Sequence, residues 1–340
     1  MASEPKPLRL GIVGCGAVTE ALHLPALARC RGLTLAALVD ADRARAERFA
    51  APVGTAVLAS HLDFPGKVDA ALVAVPNALH ARVAIELLDR GIPVLVEKPM
   101  ALSVADCDRM IAAAARSGAT LAVALGRRFF PAYHFAKRVL DGGELGDVQS
   151  FEFREGTVFK WPTVTDAPFR RDAGGGVLRD VGPHTLDLLL WWLGEAASVE
   201  CFDDAAGGVE ANCEIHLTMH NGARGVVEFS RTRNFRRFYR IVGTRGSLEA
   251  SADWNNPPVT LEVDGRISHR GPVTEAGVIQ LTYQDAIVAQ LEEFSSAIRE
   301  RREPAVSGVE GRRAIALIEI CAQKRKSLSQ PWRESGNESV

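Results

Sequence analysis

The sequence predicts an α/β N-terminal half on a parallel sheet, joined to a C-terminal α+β half on an open, mostly antiparallel sheet. Three observations carry this. A short apolar run, Leu8 to Val13, ends in the glycine turn Gly14-Cys15-Gly16. From there to about residue 125, short apolar segments alternate with polar or helix-like stretches. That is the rhythm of a parallel sheet covered by helices on both faces. After Gly126 the rhythm stops, and several strand-like segments follow one another without helices between them.

In the first half, strands are expected at 8–13, 33–40, 69–75, 93–97 and 120–124, each short and apolar. Pro25 falls inside the first helix pattern, which must kink or break there. In the second half, a helix is expected over 129–140 and strands over 148–155, 209–219, 224–231, 237–242 and 247–250. Asn221-Gly222 lies between two of these strands and signals a tight hairpin. Helical patterns occupy 282–299 and 309–326. A chain of 340 residues exceeds one ordinary core. Two domains are therefore expected, 1–125 and 126–340, with the C-terminal helix able to pack back on the first.

Gly14 and Gly16 allow a tight turn and a close backbone approach, and Ala17 and Val18 open the following helix. A pyrophosphate fits this arrangement, facing the positive end of the helix. Thr19 stands at the third fingerprint position, where Gly or Ala is usual. Asp40 ends the second strand, 24 residues after Gly16. A carboxylate there accepts hydrogen bonds from both adenosine ribose hydroxyls and repels a 2′-phosphate, so NAD is expected over NADP. Arg43 could soften that preference, and Asp40 could equally cap the next helix.

Hydrophobic residues make up 47% of the chain and charged residues 24%, a globular profile with a formal net charge of −2. No long basic block suggests nucleic acid as a partner. No stretch reaches the ~20 apolar residues of a membrane span, and the first ten residues lack an apolar signal core. Six cysteines are scattered singly, without the pairing of a zinc site or a disulfide framework. A cytoplasmic protein without a metal is the expectation.

Three further stretches could carry chemistry. Pro76-Asn77-Ala78-Leu79-His80 follows a predicted parallel strand, at the sheet edge where ligands bind. Asn77 there caps a turn or touches a cofactor. Glu97-Lys98-Pro99 ends another strand. A lysine at that edge can hydrogen-bond a substrate oxygen and stabilise developing negative charge. It can also be a solvated ion pair. Pro99 fixes the local backbone and is a candidate cis peptide. The third stretch is Gly174-Gly175-Gly176-Val177-Leu178-Arg179-Asp180-Val181-Gly182-Pro183-His184. Asp180 and His184 share a face if both are helical, with Pro183 in the first turn. A carboxylate beside the imidazole would raise its basicity, which suits a base for a hydroxyl proton. The alternative is a capping Asp and a packed His.

Together these motifs resemble the glucose–fructose oxidoreductase / inositol dehydrogenase / MocA family over nearly the whole chain. Arg128-Phe129-Phe130-Pro131 and Leu145-Gly146-Asp147-Val148 add to the likeness. The resemblance implies an N-terminal Rossmann domain and a C-terminal sheet domain that often forms a homodimer or homotetramer interface. It also implies Lys98, Asp180 and His184 as the catalytic trio. Gly14, Gly16, Ala17, Val18, Asp40, Pro76, Asn77, His80, Glu97 and Lys98 are the candidate cofactor residues. Arg154, Trp161 and Arg170 flank the glycine run and could line a substrate pocket with Lys98, Asp180 and His184. A Trp face suits a sugar ring. The arginines at 231, 233, 236, 237 and 240 are expected on a sheet face or interface. The expected activity is hydride transfer between NAD and a secondary alcohol or ketone of a sugar, cyclitol or related polyol. A glycosidase or lyase cycling bound NAD, or a non-catalytic NAD-binding sensor, is the alternative.

Overall fold

The computed structural model describes residues 6–162, 166–205, 207–253, 255, 257–274 and 282–328. Its first sheet holds β1 (Leu8–Val13), β2 (Leu33–Val39), β3 (Ala56–Val57), β4 (Ala70–Val73), β5 (Val94–Glu97) and β6 (Leu121–Ala124). The order is β3-β2-β1-β4-β5-β6, and every pairing is parallel. Strand order reverses between β1 and β4, which places the ligand crevice at their carboxyl ends. β4, β5 and β6 are buried at every residue, so they read as unbroken apolar runs. β4 starts one residue later than expected because Asp69 is taken by Arg9, whose backbone N–H and guanidinium both bond its carboxylate.

Helices α1 (Leu24–Leu27), α2 (Arg43–Ala50), α3 (His80–Leu88) and α4 (Val104–Ser117) belong to this half. The helical turns ahead of α1 widen to a π-helix over Thr19–His23, where the Leu24 N–H reaches Thr19 O. Pro25 explains the widening. It has no N–H to donate and its ring crowds the carbonyl four residues back.

The second sheet holds β7 (Val148–Gly156), β8 (Ala196–Asp203), β9 (Asn212–Met219), β10 (Arg224–Ser230), β11 (Phe238–Gly243), β12 (Gly246–Ser251), β13 (Pro258–Val263), β14 (Arg266–Pro272) and β15 (Arg325–Ser327). Their order is β14-β13-β12-β11-β7-β10-β9-β8-β15. Pairings are antiparallel except β10 with β7 and β15 with β8. The β9–β10 hairpin turns at Asn221-Gly222, with Gly222 at φ +88°. Along β7, buried Phe151, Phe153 and Glu155 alternate with Glu152 and Arg154, so only one face of the sheet is covered. Its cover comes from α5 (Pro131–Asp141), α6 (Val177–Asp180) and α7 (Gly182–Leu193), with Tyr133, Phe153, Trp192 and Tyr239 packed edge to face.

The D-x-x-x-H stretch is not one helix. Asp180 closes α6, Val181 is the junction, and α7 starts afresh at Gly182 with Pro183 in its first turn. Continuing α6 through Pro183 would drive the ring into the Arg179 carbonyl.

The last helices, α8 (Tyr283–Glu300) and α9 (Gly308–Gln323), return to the first half. α9 packs against α4 and β6 on one side and α7 and β8 on the other. Val123 N donates to Val306 O at 3.0 Å. No helix among the described residues is long and apolar enough to cross a membrane.

Candidate active site

The glycine turn is fixed by its neighbours. Gly14 has φ +102°, and a Cβ there would lie 2.3 Å from the Ala74 carbonyl. A Cβ on Gly16 would meet nothing within 4 Å, so that backbone edge stays open to a ligand. Thr19 turns inward and donates from its hydroxyl to Gly14 O at 2.7 Å. The unusual third fingerprint residue thus braces the turn from inside. Ala17 and Val18 follow, half-buried, at the start of the helical stretch.

Asp40 faces this turn. Its Oδ2 accepts from Cys15 N at 2.6 Å and its Oδ1 from Asp42 N at 2.8 Å. The cap of α2 is Asp42, not Asp40. Arg43 is exposed and pairs with Glu47. Pro76 and Asn77 stand at the carboxyl end of β4, Pro76 exposed and Asn77 half-buried.

Two residues expected at the cofactor also bond within the protein. His80 is buried, with Nδ1 and Nε2 each 2.8 Å from a backbone carbonyl, those of Pro99 and Val75. It lies between two loops, donating its one N–H to one of these carbonyls while the other nitrogen only faces the second. Glu97 is buried, 2.6 Å from His23 Nε2, and also accepts from Lys98 N at 3.0 Å. Burial pushes its pKa up, but His23 and Lys98 outweigh it and hold the carboxyl below its ordinary value. The Lys98–Pro99 peptide is cis.

Lys98 leaves the end of β5 and reaches Asp180. Its Nζ donates at 2.9 Å to both Asp180 O and Asp180 Oδ1. Oδ2 accepts from Arg231 at 2.8 Å. Burial alone would raise the Asp180 pKa, but these two cations hold it well below the usual carboxylate range. His184 is buried on α7, and its Nδ1 has no hydrogen-bond partner among the described residues. Burial and the charges of Lys98 and Arg127 push its pKa well down, against a smaller opposing pull from Asp180. The expected gain in basicity is therefore reversed, because burial and the two nearby cations outweigh the pull of Asp180. The neutral form of the imidazole is thereby favoured. Behind it, Arg127 bonds Glu155, which also accepts from Tyr239 at 2.5 Å and from Thr185.

The family models match both halves. Residues 8–125 match the oxidoreductase family with an NAD-binding Rossmann fold, and residues 133–249 match the GFO/IDH/MocA C-terminal domain. The chain belongs to the GFO/IDH/MocA oxidoreductase family. It is 26% identical over 335 residues to a dTDP-3,4-didehydro-2,6-dideoxy-alpha-D-glucose 3-reductase of Saccharopolyspora spinosa, covering 94% of this chain and 98% of the relative. It is 26% identical over 333 residues to an inositol 2-dehydrogenase of Rhizobium meliloti, covering 94% and 98%. The crystal structure of an aldose-aldose oxidoreductase from Caulobacter crescentus complexed with glycerol matches with TM-score 0.84 and 26% identity, covering 94% and 97%.

In this GFO/IDH/MocA member the glycine run serves the protein itself. A Cβ on Gly175 would strike Pro168 O at 2.6 Å, and one on Gly176 would strike Glu210 Oε1 at 2.2 Å. Arg154, Arg170 and Trp161, expected to line a substrate pocket, are partly or largely solvent-exposed. Arg154 is on the uncovered face of the sheet, opposite to Glu155, and pairs with Glu228 at 2.8 Å. Its place one residue from Glu155 on a strand decides that. Arg170 is exposed and bonds Asp172. Trp161 is 40% exposed. Arg231, expected on a sheet face or interface, is 8% exposed and bonded to Asp180. The sequence does not mark Glu155, and Arg127 has only a local signal, as a charge at the start of the second half beside Arg128.

Proposed function

We propose that the protein is an NAD-dependent dehydrogenase or reductase acting on a secondary alcohol or ketone of a sugar, cyclitol or related polyol. The observation that carries this is the Lys98–Asp180 contact, at the carboxyl end of β5 and with His184 on the adjoining helix. The open edge at Gly16 and the carboxylate of Asp40 suit a dinucleotide, and Asp40 favours NAD over NADP. Bound there, the nicotinamide accepts or supplies hydride.

The chain's own residues do the rest. Lys98 donates a hydrogen bond to the substrate oxygen and stabilises negative charge on it. His184, neutral, takes the hydroxyl proton on oxidation and returns it on reduction. Asp180 holds the lysine. Residues 1–125 carry the cofactor and 126–340 the substrate. Copies associate as a homodimer or homotetramer through the uncovered face of the second sheet. The protein works in the cytoplasm, in keeping with its free cysteines.

The test is a screen of sugars and cyclitols with the purified protein, following nicotinamide reduction and any released leaving group. Reduction that disappears in Lys98→Met supports the reading. Leaving-group release without net reduction would replace it with an internally cycling glycosidase or lyase.

A further inference from the structure

Arg231 directly follows β10, at the point where three parts of the second half meet. One guanidinium nitrogen donates to Asp180 Oδ2 at 2.8 Å, and another donates to Pro168 O at 3.0 Å. The guanidinium carbon lies 4.9 Å over the ring of Phe159. The Arg231 backbone carbonyl accepts from Phe159 N at 2.9 Å. Phe159 in turn packs edge-on against Phe169, at 5.3 Å between centroids, and Phe169 is 55% exposed. The Pro168 carbonyl also accepts from Gly176 N at 3.2 Å, just before α6.

We propose that Arg231 is a positioning residue that locks the Asp180 carboxylate, and with it Lys98, to the aromatic wall of Phe159 and Phe169. This rests on the reading of Lys98 and Asp180 as members of the hydride-transfer site. The carboxylate has one oxygen on Lys98 and the other on Arg231, so its plane is fixed from both sides. A planar guanidinium can serve two divergent acceptors and stack on a ring at once, which an ammonium cannot. The charged groups facing Asp180 are Lys98, just after β5, and Arg231, just after β10; the titratable His184 on α7 also faces it, with Arg127 beyond.

Two variants in the full chain separate the two duties. Arg231→Gln removes the charge and Arg231→Lys keeps it without the fork. Turnover is measured with bound cofactor, together with trypsin cleavage at the exposed residues Lys160, Arg170 and Arg171. Arg231→Gln should lower kcat by about 10²-fold, the effect of misplacing a reacting group, and should speed cleavage at those sites. Arg231→Lys should recover much of kcat while cleavage stays fast. Native turnover and slow cleavage in Arg231→Gln would overturn the proposal, as would a lower melting temperature with full specific activity. Should Arg231→Gln fail to fold, native turnover and slow cleavage in Arg231→Lys would overturn it instead. Normal turnover by Lys98→Met overturns the reading of the site. Normal turnover by Arg231→Gln where Lys98→Met is inactive overturns this proposal alone.

Discussion

Lys98 and Asp180 join the two sheets. The lysine directly follows β5 of the first and the aspartate closes α6 over the second, and the ammonium holds both the carbonyl and the carboxylate of Asp180 at 2.9 Å. Lys98→Met removes this donor without touching the glycine turn. Turnover should fall by about 10²–10³-fold, as for loss of one donor to a developing oxyanion. Cofactor affinity by calorimetry should stay near native. Near-native turnover would end the assignment.

His184→Ala should lower turnover by about 10²–10⁴-fold near neutral pH, the contribution of a positioned acid–base group. The loss should shrink at high pH, where hydroxide or ionised substrate replaces the base. Circular-dichroism melts must accompany the kinetics. Reduced stability with intact specific activity would make His184 a packing residue.

The depressed pKa of His184 also links it to stability. An imidazole that stays neutral when folded but titrates near pH 6.5 when unfolded draws protons to the unfolded chain. Stability is therefore full above that value and declines as pH falls below it, by up to about 1.4 kcal/mol per pH unit. Burial lowers the pKa of His80 as well, so it adds a share of the same sign. Melting temperatures taken between about pH 7 and 5 should fall less steeply in His184→Asn than in the native protein. Parallel curves would contradict a buried neutral ring.

The two glycines of the turn should respond differently to the same change. Gly14→Ala combines a positive φ with a Cβ 2.3 Å from Ala74 O, and should cost about 2–4 kcal/mol of stability. Gly16→Ala meets open space, so the melt should move little while cofactor affinity drops. Equal melting temperatures for the two variants would show that the turn is not braced as described.

Native protein should bind NAD more tightly than NADP in calorimetric titrations. Asp40→Ala should weaken NAD by about 10-fold or more, the loss of a charged hydrogen-bond acceptor, and narrow the preference. Equal or tighter NADP binding by the native protein would remove Asp40 from ribose recognition.

The first half was legible because β4, β5 and β6 are buried at every residue, and β1 and β2 over their closing residues, so apolar composition marks them. β3 and β15 are two and three residues long and give no such signal. Lys98 could be found because a charge at the end of an apolar strand is locally odd. Arg231 could not, since it is the first of five arginines between 231 and 240 whose pattern suggests a sheet face or interface, and its burial depends on residues 51 and 63 positions away. The fate of His80 and Glu97 was hidden for the same reason. Their partners, Pro99 and His23, come from other turns of the chain. The break between α6 and α7 had its cause in view at Pro183, but only the packed structure shows on which side of it Asp180 falls.

Helix α9 has no room to slide. Gly308 and Gly311 sit so close to Leu121 and Val123 that a Cβ would come within 2.8 and 2.6 Å of them. On its other side, Glu310 bonds Arg128, which also holds Asp187 of α7. The last long helix is thus a keystone between the sheets. Helix α9 thus couples β6 of the first sheet to α7 over the second, so a substitution that loosens either contact is felt by both halves.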